Sequence, residues 1–115
     1  MVLPTNLKHV ATATEHAQVL KDHENVMICC GRMGPMCLPV YDIMGDIQDE
    51  YKHVEFRDMM FDSPESAVIR NHSACRNFMG IPFTVYYKNG ELVAATSSIQ
   101  SQGQVTAILD REFKA

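Results

Sequence analysis

Two hydrophobic periods alternate along this chain, and the switches between them mark its elements. The clearest is the run Val26-Met27-Ile28-Cys29-Cys30, continuously apolar between Asn25 and Gly31. Such a run suits a strand covered on both faces, hence a central one in a mostly parallel or mixed sheet. Beyond it Cys37, Val40, Tyr41, Met44, Ile47 and Tyr51 recur in steps of three and four, with Asp42, Asp46, Gln48 and Asp49 mostly off that stripe. This predicts a long amphipathic helix. It would be entered at Pro35, where a missing N–H has no partner to lose, and bent at Pro39, where a proline removes an internal bond.

The period changes to two at His53-Val54-Glu55-Phe56-Arg57-Asp58-Met59, a strand pattern, while Phe83-Thr84-Val85-Tyr86-Tyr87, rich in β-branched and aromatic residues, reads as a further strand with Leu92-Val93-Ala94-Ala95-Thr96 as its return. The last two flank Asn89-Gly90, residues that accept the positive φ of a tight hairpin. Lys8-His9-Val10-Ala11 reads as a short edge strand. Thr12 and Glu15 have capping-box spacing ahead of a helix from about Thr14 to Asp22. Ser63-Pro64-Glu65 is a second helix start, and Asn71 to Met79 reads as a distorted helix and loop. Ser101 and Gln104 repeat the capping-box spacing before an apolar face of Val105, Ile108, Leu109 and Phe113.

The order β-α-β-α-β-α-β-β-α allows right-handed parallel crossovers followed by an antiparallel hairpin. An α/β fold is therefore expected, with a central mixed sheet of four to five strands and helices on both faces. A chain of 115 residues, 46% hydrophobic, fits one domain over 1–115. Its net charge of −4 and scattered Lys and Arg residues offer no phosphate-neutralising stripe, so nucleic acid is not an expected partner. The N-terminus lacks the apolar core of a signal peptide and no later run would span a bilayer. The expectation is a cytoplasmic protein with no membrane partner.

In a reducing compartment the four cysteines should rest as thiols. Three of them, Cys29, Cys30 and Cys37, cluster at the predicted junction of strand and helix. Most of the eight methionines read as core filler. The dispersed histidines form no recognisable nucleophile and base pair with a cysteine.

With Gly34-Pro35 after a buried strand, Gly80-Ile81-Pro82 ahead of another, and the turn in Tyr87-Lys88-Asn89-Gly90-Glu91, the chain resembles the thioredoxin family over essentially its whole length. The resemblance implies a thioredoxin fold with a cis Ile81–Pro82 peptide facing the active-site turn, and a free backbone edge there for an extended substrate. The partner would be a protein or peptide, held in part through a mixed disulfide, with no cofactor. Substrate contacts would fall on Met33, Gly34, Pro35, Met36, Ile81 and Pro82. The departures concern chemistry. Met33 and Met36 take the places of the attacking and resolving cysteines, and a thioether cannot become the thiolate that exchange requires. Arg32 stands where the family keeps a tryptophan, and Met27 where it keeps a buried aspartate.

Thiol chemistry would then use cysteines flanking the turn: Cys37, in the first turn of the helix with Arg32 as added positive charge, paired with Cys30 or Cys29. The plainer reading is that all three are small hydrophobes in the core. Cys75 is either a third redox partner or an exposed thiol, with His72 and Arg76 as activators or as solvated loop residues. Cys29, Cys30, Met33, Met36 and Cys37 also form a soft donor set of the kind that suits Cu(I). Their spacing matches no zinc pattern, and no metal is expected. Two functions compete: thiol–disulfide exchange or redox sensing at displaced cysteines, and a redox-silent module binding extended peptides on its Met33, Pro35, Met36 and Pro82 surface.

Overall fold

Every residue of the strand Asn25–Gly31 is buried, as a strand with helices on both faces must be. In the computed structural model, which describes residues 2–114, this strand is the centre of the sheet. The strands are β1 (Lys8–Val10), β2 (Asn25–Gly31), β3 (Glu55–Met60), β4 (Phe83–Lys88) and β5 (Glu91–Ser97), and the helices α1 (Ala13–Asp22), α2 (Leu38–Ile47), α3 (Ala67–Arg70) and α4 (Gln102–Glu112). Short 3-10 turns, Pro64–Ser66 and Ser73–Cys75, flank α3. The spatial order is β1-β3-β2-β4-β5, parallel as far as β2 and antiparallel from there. Among the described residues no helix is long and apolar enough to cross a membrane.

Because side chains alternate across a strand, β2 divides its residues between two cores. Met27 and Cys29 join Val40, Tyr41, Met44 and Ile47 of α2 and Val105, Leu109 and Phe113 at α4. Ile28 and Cys30 join Val19 of α1, Ile69 of α3, Met59 and Cys75. The hairpin forms at Asn89 and Gly90, with φ of 52° and 82°. Ser101 and Gln104 complete a reciprocal capping box at α4. At α1 the spacing gives half of one: Thr12 accepts from the Glu15 N–H, but the Glu15 carboxylate accepts from Ala11, one residue before the cap.

The long helix expected from Pro35 to Tyr51 is shorter at both ends. Its regular part runs Leu38–Ile47, with Cys37 as N-cap. Pro39, having no N–H, cannot bond back to Pro35, so Pro39 lies in the first turn of α2 and does not bend its interior. Pro35 lies outside, in a single turn closed by Cys37 and Leu38 N–H groups on the Gly34 carbonyl. The strand expected from His53 begins at Glu55.

On the α1 side His16 is 7% exposed, its Nε2 3.1 Å from the Tyr87 hydroxyl. Burial lowers its pKa from 6.5, so the folded state binds this proton less readily than the unfolded chain. Its contribution is intact above pH 6.5 and is lost as pH falls below it, at up to about 1.4 kcal/mol per pH unit. Urea unfolding at pH 7.5 and pH 5 should show a steeper acid loss in the native chain than in His16→Gln. Equal slopes would remove His16 from the account.

Candidate functional site

The turn after β2 is built around a glycine. A Cβ on Gly31 would lie 2.7 Å from the Tyr41 hydroxyl, 2.8 Å from Cys37 Sγ and 3.0 Å from Pro82 Cβ, so only glycine lets these three converge. Tyr41 donates to the Arg32 carbonyl at 3.0 Å, while the Arg32 N–H points at Cys37 Sγ at 3.4 Å. Cys37 is therefore held by a backbone donor on one side and faces Pro82, beyond the cis Ile81–Pro82 peptide, across Gly31. The Arg32 guanidinium is not aimed at this sulfur. It forms a two-pronged bond with Asp62 and lies 5.4 Å over the Phe61 ring.

The structure separates the candidate cysteines. Cys37 and Cys29 occupy the same core beneath α2, whereas Cys30 points through the sheet into the other core with Cys75. All four are free thiols and all are buried. For Cys75 this overturns the exposed-thiol alternative: it is 2% exposed. His72 uses Nδ1 to accept from the Ala74 backbone, capping the turn that contains Cys75. The five soft sulfurs do not form one donor set either, since Met33 and Met36 are exposed, Cys29 and Cys37 are buried, and Cys30 faces away.

Cys29 lies in a polar row that crosses the sheet. Register places His9 beside Asp58, Asp58 beside Cys29, Cys29 beside Thr84 and Thr84 beside Thr96, all on the α2 face because alternate positions share a face. The Thr84 hydroxyl lies 3.8 Å from Cys29 Sγ. On the other side the fully buried Asp58 accepts from Thr5, and its Oδ1 is 2.7 Å from His9 Nδ1. Burial raises the Asp58 pKa, and the bonds from Thr5 and His9 oppose that rise. The Cys29 thiol is pushed well above its ordinary value, first by burial and further by the thiols and carboxyl around it, against the Thr84 bond. Cys30 is pushed up to about 12 by burial, with Ser66 and Arg70 opposing.

Asp58 is the residue that sequence reasoning missed. The resemblance led to Met27, on β2, as the empty place of the buried acid. The acid here stands one strand away, and its signal was a carboxylate two residues after the inward-facing Phe56. Of the expected substrate contacts, Met33, Pro35 and Met36 lie on the surface, Gly34 and Ile81 are half-buried and Pro82 is covered. Among them only Met33 lines a cleft of about 520 Å³, whose walls also include Thr5, Leu38 and Tyr41. A hollow of about 540 Å³ between α1 and the Asn89-Gly90 turn lies at the opposite end of β2, away from the thiols.

No protein-family model matches the chain, and no curated protein matches it in sequence. Solved structures do match. A Plasmodium falciparum thioredoxin superposes with a TM-score of 0.75 at 19% identity, covering 92% of this chain and 99% of that one. Mitochondrial thioredoxin 3 of Saccharomyces cerevisiae, in its oxidised form, gives 0.72 at 21% identity over 90% and 94%. A mutant thioredoxin from Halobacterium salinarum gives 0.77 at 16% identity over 100% and 97%. At these identities the likeness is one of fold, and on that ground the chain is a thioredoxin-fold protein.

Proposed function

We propose that this protein, acting as one domain in a reducing cytoplasm, performs thiol–disulfide exchange on protein or peptide disulfides, with Cys37 attacking and Cys29 resolving. The observation that carries this reading is the pair itself: two buried thiols on one face of the sheet, one across Gly31 from Pro82 and the other between Asp58 and Thr84. The Cys37 thiolate attacks one sulfur of the substrate, and the departing sulfur leaves as a thiolate that takes up a proton. Cys29 then gives its proton to Asp58 and attacks Cys37 Sγ, releasing the second substrate sulfur. The chain ends with a Cys29–Cys37 disulfide and the substrate as a dithiol, two electrons richer. Cys37 is 1% exposed, so the Met33–Leu38 turn must lift for a substrate to reach it, and the adjacent cleft gives the incoming chain room.

A second reading has its own support. Met33 at 43% exposure, Met36 at 41% and Leu38 at 39% present apolar side chains to solvent on the segment after β2, a surface suited to an extended peptide without any exchange. Equilibration in glutathione buffers of graded potential, followed by alkylation and peptide mass mapping, separates the two. Exchange requires one two-electron transition linking Cys29 to Cys37, between about −270 and −200 mV, the range of thioredoxins and glutaredoxins, with Cys30 and Cys75 left as thiols. Four thiols that stay reduced, or that acquire only separate glutathione adducts, would leave the binding module.

A further inference from the structure

The polar row ends at the sheet edge on a titratable group. His9, on β1, has a side chain 28% exposed, while the Asp58 side chain it touches is fully buried. When Asp58 is ionised it can only accept, so His9 Nδ1 must carry the proton in their 2.7 Å contact. Thr5 donates to the other carboxylate oxygen. These two donors oppose the burial that disfavours the charged carboxylate, and a charged Asp58 is what Cys29 needs in order to lose its proton.

We propose that His9 is a positioning residue that decides when Asp58 can act as the base for Cys29, which makes the resolving half of the exchange depend on pH through an imidazole at the sheet edge. The inference rests on the exchange reading above. A neutral His9 ring, donating through Nδ1, leaves Asp58 an anion with lone pairs free toward Cys29. A protonated ring adds a full positive charge beside the carboxylate and weakens it as a base. The other groups facing Asp58 do not ionise in the same range: the Thr5 and Tyr41 hydroxyls from the N-terminal segment and α2, and the Cys29 thiol from β2. Arg57 donates to the His9 backbone carbonyl, but its guanidinium is paired with Glu55.

The test is single-turnover resolution. The chain is loaded at Cys37 with thionitrobenzoate as a mixed disulfide, and release of the coloured thiolate by Cys29 is followed from pH 5 to 9. The native chain should slow on the acid side along a one-proton curve. His9→Gln, which keeps a neutral N–H donor, should displace that limb and retain the rate at pH 8. His9→Leu, which removes the donor, should resolve about tenfold more slowly at pH 7, the scale of one hydrogen bond to a charged group. Isotope-edited NMR of the Asp58 carboxyl in the reduced chain should show its titration displaced in His9→Leu and nearly restored in His9→Gln. Native pH curves in both variants, or an Asp58 titration indifferent to residue 9, would overturn the role of His9 while leaving exchange standing. Failure of the native chain to release thionitrobenzoate at any pH would instead overturn the exchange reading, and the role of His9 with it.

Discussion

A Cys37→Ser variant should show no two-electron transition and reduce no peptide disulfide above the uncatalysed rate. The reason is geometric. Cys30 and Cys75 face the opposite core and Cys29 lies within β2 between Asp58 and Thr84, so no other sulfur stands at the turn to take over the attack. Serine preserves the acceptor for the Arg32 N–H and is close in size to cysteine, so the fold should survive, which far-UV circular dichroism would check. Cys29→Ser should behave differently: Cys37 still attacks, but the mixed disulfide is not resolved and accumulates as a protein adduct of definite mass. Cys30→Ser should leave the transition where it was. If Cys37→Ser retained an internal disulfide, the proposed pair would be wrong, and Cys30 with Cys75, which share the other core, would be the pair to test next.

The second large effect concerns the backbone under this sulfur. Gly31→Ala should destabilise the fold by about 1–3 kcal/mol, the usual cost of forcing extra volume into a packed site. The added methyl would meet the Tyr41 hydroxyl, Cys37 Sγ and the rigid Pro82 ring at 3.0 Å or less. Relief requires the turn or the proline loop to move, so the rate of Cys37 alkylation should rise as its cover loosens. Gly45→Ala is the matched control. Apart from its chain neighbours and the backbone of its own helix, nothing lies within 4 Å of the methyl it would add, and alanine in a helix is favoured over glycine by up to about 1 kcal/mol. Urea titrations of the two variants should therefore shift in opposite directions, and a common direction would remove the crowding argument.

Periodicity carried far in this chain where the physics is local. The apolar run of β2, the strand pair around Asn89-Gly90, the caps at Thr12, Ser63 and Ser101 and the buried stripe of α2 each depend on neighbours within a few residues, and each formed close to where the pattern put it. The boundaries of α2 shifted because Pro39 could play two parts, an interior bend or a first-turn residue, and sequence spacing does not choose between them. The site was less readable for a related reason. Its parts come from four strands, a helix start and an N-terminal loop, so no window of the sequence holds Cys29, Asp58, His9, Thr84 and Cys37 together.

Of the three cysteines around the turn, the sequence determined that they cluster at a junction of strand and helix. That is a matter of residue identity and local spacing. Which of the three face one another was decided by the tertiary structure alone, through the twofold alternation of β2, which sends Cys29 toward α2 and Cys30 away from it. The placement of a carboxylate beside Cys29 was decided the same way: strand register, set by how β3 packs between β1 and β2, brings Asp58 to a thiol 29 positions earlier in the chain.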